Sequence, residues 1–193
     1  MPMTLRHEFI LGGQKSGKSR RAEQHAVDWL AGSTAVRHAV LIATAQAHDG
    51  EMRARIARHQ ADRAARVPAM ATVEEPVELA RAIISHSNAD TLVVVDCLTL
   101  WLTNLLMPLR SAQARPATRT PALHAAMLLA ALRDARGPVV LVGNEIGLGV
   151  IPLGGETRAF VDALGRLNQD VAAACGRVTL MVAGLPLTLK APA

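Results

Sequence analysis

Residues 12–19 read GGQKSGKS, and no other segment of the chain restricts its fold so tightly. The pattern G-x-x-x-x-G-K-[ST] has Gly12, Gly17, Lys18 and Ser19 in its fixed places, with Gly13, Gln14, Lys15 and Ser16 among them. Apolar residues 9–11 precede it and residues 20–29 can form a helix, which gives the strand, loop and helix that the pattern requires. In such a loop the glycines allow a tight wrap, and N–H groups and the helix N-terminus point at phosphate oxygens. Lys18 adds a point charge, and the Ser19 hydroxyl is suited to Mg²⁺. The segment predicts a nucleoside triphosphate site.

The remainder of the chain suits that reading. Apolar strands at residues 9–11, 39–43, 91–96, 138–142 and 178–183 alternate with helices at 51–65, 77–87, 98–107, 123–136 and 157–175; a final strand is expected at 187–190. The strands are continuous aliphatic runs, as in sheets covered on both faces. Alternation with helices implies parallel pairing and right-handed crossovers. The fold class expected is therefore α/β, a three-layer P-loop fold with a mainly parallel sheet, spanning residues 1–193 as one domain. Residues 108–121 contain three prolines with Ser, Thr and Arg, and read as a surface loop.

Composition narrows the partners. The net charge is +5, from 21 basic and 16 acidic residues, and polyphosphate is sufficient reason for a basic balance. Aromatic residues make up 2% of the chain, so stacking on single-stranded nucleic acid lacks a platform, and none is expected as partner. The longest apolar run, residues 92–107, contains Asp96 and is too short for a membrane span. The start of the chain, with Arg6, His7 and Glu8, lacks the apolar region of a signal peptide. Cys97 and Cys175 match no metal or redox spacing and read as buried, reduced thiols. A cytoplasmic protein is expected.

Four places can carry chemistry. Asp96 ends the run Leu92-Val93-Val94-Val95, where a P-loop protein holds a second Mg²⁺ contact; its structural alternative is to cap the following helix. His59 shares a helical face with Met52, Ile56 and Arg63, and taken by itself reads as a packed, hydrogen-bonded histidine. The other six histidines (His7, His25, His38, His48, His86, His124) show no metal-ligand pairing. Glu74 and Glu75, ahead of Pro76, either place negative charge at a helix N-terminus or hydrogen-bond a base or ribose. Gly143-Asn144-Glu145 follows a strand and opens a loop containing Gly147 and Gly149. Arg158, Arg166 and Asn168, on the long helix, reach either phosphates or a neighbouring subunit.

Together these segments resemble one family. GGQKSGKS, IATAQAHDGEMRARIARH, the EEP at residues 74–76, DCLTLWLTNLL from Asp96, NEIGLGVIP from Asn144, RAFVDALGRLNQDVAAA from Arg158 and the closing LPLTLK span nearly the whole chain. The set is similar to the bifunctional adenosylcobinamide kinase / adenosylcobinamide-phosphate guanylyltransferases of cobalamin biosynthesis. The resemblance implies phosphorylation of adenosylcobinamide by ATP or GTP. It then implies transfer of GMP from GTP, through a guanylylated histidine, to the resulting phosphate. His59 is the matching histidine, and the resemblance reverses its structural reading. Arg58 and Arg63 are then placed to offset charge on the phosphoryl oxygens.

The implied catalytic pair is His59 and Lys18. The implied nucleotide site takes in the phosphate loop, Ala43, Thr44, Ala45, Gln60, Ala61, Asp62, Arg63, Glu74 and Asp96, with Ser19 and Asp96 on Mg²⁺. The resemblance also implies a homo-oligomer, a trimer. Three departures stand out, the first being Asp96, a shorter carboxylate where relatives tend to have Glu, still able to hold Mg²⁺ directly or through water. The segment between Arg63 and Glu74 differs from the family pattern, and Gly143 stands where relatives tend to have a hydroxyl residue, so a polar contact is expected to be lost. Two rival readings remain. One is a plain P-loop small-molecule kinase. The other is a nucleotide switch, against which stands the missing guanine-selecting N-K-x-D motif.

Overall fold

The structure is a computed structural model and describes residues 7–47, 49–108 and 120–192. Thirteen elements follow one another: β1 (Glu8–Gly12), α1 (Lys18–Ala31), β2 (His38–Ala43), α2 (Gly50–Arg66), β3 (Met70–Glu74), α3 (Leu79–His86), β4 (Thr91–Asp96), α4 (Leu98–Leu106), α5 (Pro121–Asp134), β5 (Val139–Val142), α6 (Gly155–Ala174), β6 (Arg177–Val182) and β7 (Leu185–Lys190). The loop expected over residues 108–121 falls outside the described residues except at its ends, as do Arg6 and His48.

The strands form one seven-stranded sheet in the order β3-β2-β4-β5-β1-β6-β7. Every pairing is parallel except β6 with β7. The aliphatic runs explain the centre of this sheet. All five residues of β1 and all four of β5 are buried, and side chains alternate between the two faces. Phe9, Leu11, Val93, Val95, Val139 and Leu141 point into a large core closed by α3, α4, α5 and α6. Ile10, Leu92, Val94, Val140 and Val142 point the other way, into a smaller core with Ala22 and Ala26 of α1.

The edges depart from the expectation of two covered faces. Strand β3, which the sequence reading missed, exposes three of its five residues. Strand β7 exposes all six, and begins at Leu185 rather than Leu187. Helix α3 starts at Leu79, two residues later than expected, because Glu75 takes over the turn before it. Its Oε1 accepts from Val77 N at 3.0 Å and Glu78 N at 2.9 Å. The helix N-terminus reading thus belongs to Glu75, while Glu74 ends a strand. Cys97 and Cys175 are both free and buried, and burial pushes each thiol up to about 12, so they are neutral.

Candidate nucleotide and transfer site

The strand register sets the site's baseline. Ala43 pairs with Glu74 on one side and Asp96 on the other, Asp96 pairs with Val142, and Val142 with Ile10. Glu74, Ala43 and Asp96 therefore stand in one row at the carboxyl edge, where ligands bind in open α/β sheets. Neighbouring strands are about 4.8 Å apart, so Glu74 and Asp96 are separated by about 10 Å. The phosphate loop rises from the same edge, two strands from Asp96.

That loop is held from both sides. Glu145 N donates to Gly12 O at 3.1 Å, and Gly184 N, in the turn between β6 and β7, donates to Ser16 O at 3.1 Å. Gly12 has φ +153°, and a Cβ there would stand 2.5 Å from Met181 O and 2.6 Å from Ser16 Oγ. Only glycine fits. Gln14 and Lys15 are exposed with Gly13, whereas Ser16 and Lys18 are each 8% exposed. Ser16 Oγ is buried without a hydrogen-bond partner inside the loop, an orphaned donor where a phosphate oxygen would fit. The Lys18 ammonium donates to Gly13 O across the loop. Burial pulls Lys18 below the usual lysine range and Arg55 of α2 pushes the same way, while Cys97 and Asp96 oppose them. Lys18 thus lies within electrostatic reach of both Asp96 and Arg55. Half-buried Ser19 follows Lys18 at the start of α1. Mg²⁺ takes oxygen ligands, one or two of them from protein, and the half-buried Ser19 hydroxyl and Asp96 carboxylate are of that type.

Thr44 has a different part in the site. It is 0% exposed, its Oγ1 donates to Cys97 O at 2.8 Å and accepts from Cys97 N at 2.9 Å. Asn104 Nδ2 donates to Thr44 O at 2.8 Å and Pro76 O at 3.0 Å. The Thr44 side chain stitches the ends of β2 and β4 together. Half-buried Ala43 and Ala45 flank it.

Helix α2 carries the histidine. Asp49 caps it, accepting from Met52 N at 2.7 Å, with Glu51 in its first turn and Arg63 and Arg66 in its last. These charges suit the helix dipole. Only Arg63 of its 17 residues is buried. Met52 and Ile56 are half-buried, and Arg58, His59, Gln60, Ala61 and Asp62 are exposed. Arg66 anchors the far end through Glu23 of α1 at 2.6 Å. The packed-histidine reading of His59 is therefore overturned, since the helix needs few residues for packing. Arg63, the arginine of the expected nucleotide site, is buried to the same degree as Lys18, at 8% exposed.

Two residues of the long helix have structural roles. Arg158 Nη1 donates to Pro152 O at 2.9 Å and also to Leu153 O, while Arg166 is exposed. Asn168 is buried, and its Nδ2 donates to Asn144 O at 3.1 Å. The partners of Arg158 lie five and six residues before it, in the turn that leads into α6, whereas that of Asn168 lies 24 residues away. At Gly143 a Cβ would meet Phe9 Cε2 at 2.9 Å and Cζ at 3.0 Å, and would stand 3.6 Å from Asn168 Oδ1. Phe9 fills the room a side chain would need, and Asn168 Oδ1 is buried without a partner.

Comparison with known proteins decides the family. The family model described as "Cobinamide kinase / cobinamide phosphate guanyltransferase" matches residues 8–189. The chain belongs to this family. It is 47% identical over 186 residues to the bifunctional adenosylcobalamin biosynthesis protein CobP of Pseudomonas aeruginosa, covering 95% of this chain and 96% of that protein. It is 35% identical over 188 residues to the bifunctional adenosylcobalamin biosynthesis protein CobU of Escherichia coli, covering 94% and 98%. The same figures hold for CobU of Salmonella typhimurium. Membership makes the chain a bifunctional enzyme of cobalamin biosynthesis, with kinase and guanylyltransferase activities that use nucleotide. Among the described residues no helix is long and apolar enough to cross a membrane.

Proposed function

We propose that one nucleotide-binding domain, residues 1–193, phosphorylates adenosylcobinamide with ATP or GTP and then guanylylates the product through His59. The observation that carries this reading is that α2, which follows the strand ending at Ala43 beside Glu74 and Asp96, presents an exposed His59. Arg55 acts electrostatically on the phosphate-loop lysine, and His59 follows one helical turn later, about 6 Å along the same side of α2. An exposed imidazole on that side is a suitable nucleophile for nucleotide held by the loop.

In the first step an alcohol oxygen of the acceptor bonds to the γ-phosphorus, and the bond from that phosphorus to the bridging oxygen breaks with its electrons. Lys18 and the loop N–H groups stabilise the charge. In the second step an imidazole nitrogen of His59 bonds to the α-phosphorus of GTP and pyrophosphate leaves. A phosphate oxygen of the acceptor then displaces the histidine and takes the GMP. Arg58, exposed beside His59, can face the phosphoryl oxygens. Ser19 and Asp96 would hold Mg²⁺, which neutralises phosphate charge when bound. Glu74, at the row's outer end, and Gln60, Ala61 and Asp62, exposed after His59, are assigned to base and ribose.

The same reading makes the protein a cytoplasmic homo-oligomer, a trimer. Supporting surfaces are the exposed Leu185, Leu187 and Leu189 of β7, the last strand of the sheet. Incubation with Mg²⁺ and GTP labelled at the α-phosphate is expected to leave acid-labile, alkali-stable label on the peptide containing His59. His59→Ala is expected to lose the label and guanylyl transfer while keeping its fold and its phosphorylation of the acceptor. Transfer at the wild-type rate in His59→Ala would remove the covalent route and leave a kinase.

A further inference from the structure

Strand β5 lies between β4, which ends in Asp96, and β1, which leads into the phosphate loop. Where β5 ends, Gly143, Asn144 and Glu145 are fixed more firmly than an ordinary surface turn. Gly143 N donates to Ile10 O at 3.0 Å and Glu145 N to Gly12 O at 3.1 Å, while Asn144 N donates to Thr99 Oγ1 at 2.8 Å. Asn168, buried on α6, holds Asn144 O at 3.1 Å.

The Glu145 carboxylate is held as well. Oε1 accepts from Gly147 N at 2.8 Å, and Asn168 Nδ2 stands 3.5 Å from Oε2. Both are neutral donors, and no cation forms a salt bridge with Glu145 among the described residues. A carboxylate has about four lone-pair positions, so the two held oxygens retain accepting capacity. Glu145 is half-buried, and the residues after it lie open to solvent. The result is an oriented, accessible acceptor whose backbone is bonded to the first glycine of the phosphate loop.

We propose that Glu145 accepts the proton of the acceptor hydroxyl during phosphoryl transfer, and that Asn168 is its positioning residue. The inference rests on the kinase reading above and adds the residue that reading lacks. The substrate class is an alcohol approaching from the solvent side of the loop. As its oxygen bonds to the γ-phosphorus, the hydroxyl proton passes to the Glu145 carboxylate. The bridging P–O bond breaks, and its electron pair leaves with the nucleoside diphosphate. Proton transfer of this kind contributes about 10²–10⁴-fold to a rate.

The test is steady-state phosphorylation of cobinamide by the full chain and by Glu145→Gln, with thermal melts of both. Glu145→Gln is expected to lower kcat by about 100-fold or more, with the KM for nucleotide changed by less than about 3-fold. The acid limb of the kcat–pH profile is expected to disappear with it. Asn168→Ala is expected to lower kcat about 10-fold with nucleotide KM unchanged, keeping the acid limb. Wild-type kcat in Glu145→Gln, or a loss confined to nucleotide KM, overturns the proposal. If Glu145→Gln does not fold, Glu145→Asp decides: reduced kcat with the acid limb kept supports the assignment, and unchanged kcat overturns it. Wild-type protein that phosphorylates no cobinamide would instead overturn the function reading.

Discussion

Helices α2 and α4 each follow a strand that ends at the ligand edge, and they are built in opposite ways. Helix α4 buries five of nine residues: Leu98, Thr99, Trp101, Leu102 and Asn104. Its polar residues work inward, Thr99 on Asn144 and Asn104 on Thr44, while Trp101 Nε1 donates to Val77 O at 2.8 Å. Helix α2 buries one residue of seventeen, and its ion pair to Glu23 is at its far end. The difference separates two tasks. Helix α4 fixes the positions of the strand ends, and α2 leaves nearly all its side chains free to meet a ligand in the proposed function. A helix with little buried surface costs little to displace, which suits the nucleophile proposed at His59, since it would have to take GMP from GTP and then present it to the acceptor phosphate.

The contrast can be broken by mutation. Trp101→Ala should cost about 3–5 kcal/mol, because Trp101 is 0% exposed and its removal leaves a cavity and an unpaired Val77 carbonyl. Urea unfolding measures this, and a cost below about 1 kcal/mol would deny α4 its role. Next in size is a difference in hydrogen exchange. Amides of α2 should exchange at least ~100-fold faster than those of α4, a gap of about 2.7 kcal/mol in opening free energy. Equal protection would make α2 part of the rigid scaffold. The smallest effect is expected for Arg58→Ala on α2, within about 0.5 kcal/mol of wild-type stability, while it slows guanylyl transfer. A large loss of stability there would show that Arg58 packs rather than faces ligand.

The two regions also differed in how readily their sequences could be read. Strands β1, β4 and β5 and the phosphate loop were legible because burial on both faces demands unbroken aliphatic runs, and the loop demands its glycines and lysine. Strand β3 was not. MATVE lies at the edge of the sheet, exposes Ala71, Thr72 and Glu74, and so needs no strong pattern; its one local sign was Thr-Val set between Pro68 and Pro76. His59 was misread by periodicity alone, since spacing finds a helical face but not whether anything lies against it. Thr44 and Asn168 were singled out without their partners, because those partners come from residues 53 and 24 positions away. Asn-Glu at residues 144–145 was noticed as a strand end, but its fixed carboxylate depends on Asn168 and Gly147 together.

Phe9 and Gly143 constrain how this sequence can change over time. A Cβ at residue 143 would meet the Phe9 ring at 2.9 Å, so a serine or threonine there requires the buried ring to shift. Once residue 9 shrinks, to leucine for example, a hydroxyl at 143 becomes possible, close to the unpartnered Asn168 Oδ1. Residues 9 and 143 compete for one space, so substitutions at the two positions are expected to be non-additive.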